Sequence, residues 1–164
     1  MSAVSSWCRW GLNEDFDSRL YACLANRRWA QAVASARHLL DVDGLLRLAD
    51  EVMDSLTDQE WLEAMKAHPR IGERGGDAPA SSTREQSRAM EGSTATLTAL
   101  AAENRQYEDR FGHVFLIFAS GRTAVEILAE LRRRMKNDPA VELDEAKGEL
   151  RKIALLRLRR LIDA

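Results

Sequence analysis

Three ionisable side chains stand where their types could do chemistry: His68, Glu85 and Arg157. His68 follows an amphipathic helical pattern and sits at the mouth of a Gly/Pro-rich segment running to Ser81. Pro69 pushes its backbone away from helical dihedrals and stiffens the turn. An imidazole with an ordinary pKa near ~6.5 can donate or accept a proton at neutral pH. The competing reading is a helix C-terminal cap, which the helix dipole favours. Glu85 closes the run Ser82-Thr-Arg-Glu85, a capping box whose spacing recurs at Thr57/Glu60 and Thr123/Glu126. A helix N-terminus also offers unpaired N–H groups to an anion, so the spacing leaves cap and binding site both open. Arg157 falls in the middle of a helical stripe made by Leu150, Ile153, Ala154 and Leu161. A charge on an apolar face must be paired internally or hold a ligand. Its planar fork suits a carboxylate or similar paired acceptors.

The other two histidines carry less. His38 lies beside Leu39 in a helical pattern and reads as structural. His113 follows a helix-ending Gly112 and reads as a cap for the carbonyls of that helix. No HxxxH or HExxH pair exists, and Cys8 and Cys23 form no CxxC, so no metal site and no disulfide framework are expected. Two cysteines in 164 residues fit a reducing cytoplasm. Hydrophobic residues at 45% and charged residues at 30% are a globular, soluble balance with enough apolar mass for one core. A net charge of -2 argues against nucleic acid and against an anionic membrane surface as partners. The arginines at 132–134 and 159–160 read as solvated helix faces or salt-bridge partners. No apolar run approaches the roughly 20 residues that span a bilayer. The N-terminus has no signal-peptide pattern, and the C-terminus has no peroxisomal tripeptide.

The elements that must position these residues are helices. Between Pro69, Pro79 and Pro139, read as helix ends or gaps, the dominant period is 3.6. One helix starts at Asn13 with Phe16, Leu20 and Leu24 on a stripe, and another runs around Trp29, Val33 and Leu40. Asp43 is the expected N-cap of a third helix, and Thr57 to Glu60 opens a short fourth. The stretch from His68 to Ser81 reads as a long loop, and such loops are often functional. A long helix is expected from Ser82 through Met90, Leu97, Leu100 and Tyr107 to a stop at Gly112. Val114 to Phe118 is apolar and without an obvious partner strand, which predicts a buried extended connector or a strained helix start. Thr123 opens a helix through Ile127, Leu131 and Met135, and a last helix runs from about Glu142 to Ile162. The expected fold is all-α: a single-domain compact bundle of seven to nine helices over residues 1–164.

Four motifs in order also carry a family resemblance. Ala67-His-Pro-Arg-Ile-Gly-Glu-Arg74, Ser82-Thr-Arg-Glu-Gln86, Asn104-Arg-Gln-Tyr107 with Phe111-Gly112, and Lys152-Ile-Ala-Leu-Leu-Arg-Leu158 together resemble the signatures of 2-oxo-4-hydroxy-4-carboxy-5-ureidoimidazoline (OHCU) decarboxylases. The chain departs from that pattern at His113, where Phe is frequent, and near Arg37-His38. The resemblance implies an all-α, cofactor-free, homodimeric enzyme acting on a small ureidoimidazoline to give (S)-allantoin and carbon dioxide in urate breakdown. It implies His68 and Glu85 as catalytic, and Pro69, Ser82, Glu85, Leu116, Ile117, Phe118, Ala119 and Arg157 as substrate-binding. The backbone N–H groups from Leu116 to Ala119 are expected to hold developing negative charge. Two other functions remain open at this point: a non-catalytic helical interaction module, and hydrolysis of 5-hydroxyisourate, a neighbouring step.

Overall fold

The computed structural model describes residues 14–71 and 92–164, and among these it is built from helices joined by turns, with no strand. The order is α1 (Glu14–Leu24), α2 (Arg27–Ala36), α3 (Val42–Asp54), α4 (Asp58–Lys66), α5 (Thr94–Phe111), α6 (Ala124–Arg134) and α7 (Pro139–Asp163). Seven helices among the described residues agree with the all-α expectation at the low end of its range. None of the described helices is long and apolar enough to cross a membrane. Two compact units are present, one drawing on the chain up to Glu60 and on Ile153–Ala164, the other on Trp61–Lys152.

In the first unit Phe16, Leu20 and Leu24 are buried on the stripe of α1 read from the sequence. Asn26 caps α2 by accepting from the Trp29 N–H at 2.9 Å. The fully buried Trp29 donates its indole N–H to the Ala49 carbonyl at 2.9 Å, so α2 is tied to α3 by a bond as well as by packing. The cap of α3 is Asp41, not Asp43: its carboxylate accepts the Gly44 N–H at 2.7 Å, and Asp43 lies in the first turn. Only Asp41 stands three residues before a free helical N–H, which is the geometry a cap needs. α2 stops at Ala36, which leaves Leu40 and His38 outside it; His38 is exposed in the turn and accepts from the Arg37 Nε at 3.0 Å. At α4 the capping box forms as expected, Thr57 N–H to Glu60 at 2.8 Å and Glu60 N–H to Thr57 at 3.2 Å.

The second unit packs Ile71, Leu100, Tyr107, Phe115, Ile117, Ala119, Ile127, Leu128 and Leu131 into one apolar cluster. α5 begins at Thr94 with Ser93 as its cap, so no helix runs unbroken from Ser82 to Gly112. The helix starts here because the Ser93 hydroxyl accepts the Thr96 N–H at 3.2 Å and satisfies one of the first orphan N–H groups. Gly112 ends α5 in the left-handed conformation at φ +78°, as its position predicts. The Thr123/Glu126 capping box opens α6. α7 begins at Pro139, three residues ahead of the expected start. A proline at the first helical position loses no hydrogen bond and brings its φ already set. Of the two alternatives expected for Val114 to Phe118, the connector is found: residues 114–119 are not helical, and Phe115, Leu116, Ile117 and Ala119 are buried.

Candidate active site

His68 stands directly after α4, where the helix tightens: Ala67 N–H bonds the Ala64 carbonyl at 3.2 Å and His68 N–H the Met65 carbonyl at 3.1 Å. The imidazole is buried, and its Nδ1 lies 3.0 Å from the Ala64 carbonyl oxygen. A carbonyl only accepts, so Nδ1 carries the proton. In the neutral ring Nε2 is then the basic nitrogen. The cap reading and the chemical reading of His68 are therefore compatible: the cap contact fixes the ring's tautomer and orientation.

The segment beyond His68 is held against α5. Arg70 makes a two-pronged pair with Glu108, its Nη2 donating at 2.9 Å. Ile71 is buried in the apolar cluster, and its carbonyl accepts from the Asn104 side-chain nitrogen at 2.9 Å. Pro69 itself is half-buried between these anchors.

Ile117 and Ala119 of the connector belong to that same cluster, so the His68 segment and the connector share one core. Within the connector Phe115, Leu116, Ile117 and Ala119 are buried and Phe118 is partly so. Two helices grip its backbone. From α6 the Arg134 Nη1 donates to the Leu116 carbonyl at 2.6 Å. From α7 the Glu149 carboxylate accepts the Phe118 N–H at 2.6 Å. The Phe118 N–H, one of the groups expected to hold developing negative charge, is here bonded to the Glu149 carboxylate.

Arg134 is the buried charge that sequence reading placed among solvated or paired arginines. It is 1% exposed. Its Nε donates to Glu142 at 2.8 Å and its guanidinium lies over the Phe115 ring at 4.7 Å. Glu142 is also fully buried and accepts from the Tyr107 hydroxyl and, at 2.9 Å, from Asn137. Burial opposes the Arg134 charge, but the Glu142 hydrogen bond and charge outweigh it and raise the guanidinium pKa. Burial first, and then the bond to Glu142, push the Tyr107 hydroxyl well above its usual range, so it stays protonated and donates. A signal for Arg134 was present: it continues the face of Ile127 and Leu131 at helical spacing. His113 does not cap α5. Its Nδ1 lies 3.1 Å from the Val114 carbonyl and its ring meets Tyr107 edge-on at 5.5 Å, while the Gly112 N–H bonds the Glu108 carbonyl.

Arg157 is buried on α7 in the first unit, together with Ile153, Ala154 and Leu161 of its stripe, as its wheel position predicts. Ser82 and Glu85 lie outside the described residues. Among the described residues no group of His, Cys, Asp and Glu is arranged to hold a metal ion.

Comparison with known proteins matches residues 12–159 to the OHCU decarboxylase family. The chain is 34% identical over 145 residues to the uric acid degradation bifunctional protein TTL of Arabidopsis thaliana, covering 85% of this chain and 45% of that longer protein. It is 34% identical over 140 residues to the 2-oxo-4-hydroxy-4-carboxy-5-ureidoimidazoline decarboxylase of Mus musculus, covering 82% of this chain and 79% of the mouse protein. A crystal structure of OHCU decarboxylase obtained in the presence of (S)-allantoin superposes with a TM-score of 0.78 at 31% identity, over 90% of this chain and 99% of the other. The chain spans less than half the length of its bifunctional plant relative and most of the length of the stand-alone ones. With the motifs, the helical fold and these matches in agreement, this chain belongs to the OHCU decarboxylase family.

Proposed function

We propose that this chain catalyses the cofactor-independent decarboxylation of OHCU to (S)-allantoin and carbon dioxide in urate breakdown, as one functional domain working in a cytoplasmic homodimer. The observation that carries the reading is His68: a buried imidazole whose Nδ1–H is committed to Ala64, which directs its chemistry to Nε2. In the reaction the bond from the ring to the carboxylate breaks and carbon dioxide leaves. The electron pair enters the adjoining conjugated imidazoline, and one proton is returned to one face of the product. The ring itself accepts the electrons, so the protein supplies orientation, electrostatics and a proton.

In this proposal His68 polarises the substrate and promotes carboxylate loss. Glu85 orients ring or ureido N–H groups and shares in proton handling, with Ser82 beside it. Pro69 shapes the His68 wall, and Arg157 clamps an anionic or carbonyl oxygen with its fork. The connector Leu116, Ile117, Phe118 and Ala119 contributes backbone. The grip of Arg134 and Glu149 on this backbone supports the reading, since a lining must keep its position to be useful. The family match over residues 12–159 supports a single functional domain.

The test is to generate OHCU freshly from urate, add the protein, and follow carbon dioxide release and optical rotation together. Rapid carbon dioxide release with an optically active product is expected. Hydrolysis of 5-hydroxyisourate without carbon dioxide release, or a product that stays racemic at the spontaneous rate, would overturn the proposal.

A further inference from the structure

We propose that Asn104, in the middle of α5, is a positioning residue for His68. This rests on the role given to His68 above. Asn104 is a buried amide, 2% exposed, bonded to a residue of the apolar cluster. An apolar side chain of that size would fill the space without the desolvation a buried amide suffers. The amide does something an apolar group cannot: its nitrogen donates to the Ile71 carbonyl at 2.9 Å, linking positions 33 residues apart. A carbonyl accepts only, so this nitrogen assignment is fixed by chemistry.

The His68 segment needs such an anchor. Its near end is held by the last turn of α4 through the Ala64 carbonyl. Pro69 contributes a fixed φ and no N–H, so it can donate no bond of its own. The two-pronged Arg70–Glu108 pair adds a second hold, but it lies in part-exposed surroundings, with Arg70 44% accessible, where solvent and salt screen it. The buried Asn104–Ile71 bond is therefore the firm far anchor. With Ala64 and Ile71 both pinned, the backbone carrying His68 has few torsions left to vary.

α5 repeats the device one turn on. Tyr107, three residues after Asn104 and on the same face, donates to Glu142, which holds Arg134, which in turn holds the Leu116 carbonyl. One face of α5 thus sets both backbone segments of the site. Asn104 and Tyr107 are the two ends of the motif Asn104-Arg-Gln-Tyr107.

The test is Asn104→Ala in the full chain, with folding checked by circular dichroism, steady-state kinetics on fresh OHCU, and NMR of the imidazole rings. Only three histidines exist, so the ring signals are assignable. The expected result is a fall in kcat of about 10- to 100-fold with KM changed less than about threefold, since a small misplacement of a reacting group costs rate more than binding. The His68 ring signals should shift or broaden while those of His38 stay. Wild-type kcat in the folded variant, or unmoved His68 signals, would overturn the proposal. If Asn104→Ala does not fold, Asn104→Ser is measured the same way. Failure of both to fold would also overturn it, by making Asn104 a stability residue. A wild-type protein that released no carbon dioxide would sink the decarboxylase reading, yet the NMR comparison would still decide the role of Asn104.

Discussion

His68 combines two properties that a helix end supplies together. The last-turn carbonyl of Ala64 fixes which nitrogen bears the proton, and burial removes competing water. Removing a general acid or base costs about 100- to 10,000-fold in rate, so His68→Asn should leave a folded protein with turnover reduced by that order. The amide of the replacement can still donate to Ala64, so its folding should be spared. Near wild-type turnover in the purified variant would remove His68 from the chemistry. Arg157 was legible from its wheel position because an arginine between Ile153, Ala154 and Leu161 must be buried once the stripe is. Arg157→Lys keeps the charge and loses the fork. The expected outcome is a raised KM with a smaller change in kcat, by steady-state kinetics; unchanged constants would count against a substrate clamp. Arg134 is a salt-bridge partner, one of the two readings given for its run, but its burial was not anticipated. It shares the face of Ile127 and Leu131, but it closes a run of three arginines whose other members, Arg132 and Arg133, pair on the surface with Glu103 and Glu130. Composition alone made the run look uniform.

At the scale of elements, what was legible depended on whether a signal was local. The capping boxes at Thr57/Glu60 and Thr123/Glu126, the left-handed stop at Gly112 and the apolar connector follow from a few adjacent residues, and each is present among the described residues. The misread boundaries share one cause. Asp41 against Asp43, Ser93 against Ser82, and Pro139 against Glu142 each involve two residues of a type that can open a helix. Which of the two opens the helix depends on which side chain meets a free N–H of the first turn, and residue type alone does not say. A Cβ placed at Gly92 would stand 2.6 Å from the Cβ of Ala124, the first residue of α6. Neither atom can swing away, since each is fixed to backbone. Gly92→Ala should therefore destabilise the protein by about 1–3 kcal/mol despite removing backbone entropy from the unfolded chain. Urea unfolding checks this, and a variant as stable as wild type or more so would show that the start of α5 can yield. The long-range ties from Asn104 to Ile71 and from Arg134 to Leu116 were beyond sequence reading, because each joins a side chain to a backbone carbonyl whose own residue type carries no trace of the bond.

For the whole molecule, the acid limb of stability follows from carboxylates held in their charged form. Glu60 is the clearest. The Arg28 guanidinium hydrogen-bonds it at 2.8 and 3.0 Å, the Thr57 N–H adds a third bond, and together they lower its pKa to about 2. Glu130 is lowered in the same direction, chiefly by its bond to Arg133. A carboxyl with a depressed folded pKa contributes stability that is fully present above its unfolded value, near ~4.3. That contribution drains away as pH falls through the folded value, so the window for Glu60 runs from about 4.3 down to about 2. Glu60 also joins separate pieces of the first unit: Arg28 on α2 bonds both it and the Ser55 carbonyl at the end of α3, while Thr57 and Glu60 cap α4. Glu60→Gln keeps the shape and abolishes the titration. It should be less stable than wild type at neutral pH, and its urea midpoint should fall less steeply between about pH 4.3 and 2. The two curves should converge near the acid end, where Glu60 is itself neutral. Added salt should narrow the neutral-pH gap, because the pair is solvent-exposed and screened. Parallel curves across the whole range, with a constant offset down to pH 2, would mean that the ionised carboxylate of Glu60, in its bonds to Arg28 and to the Thr57 N–H, is not what stabilises the fold.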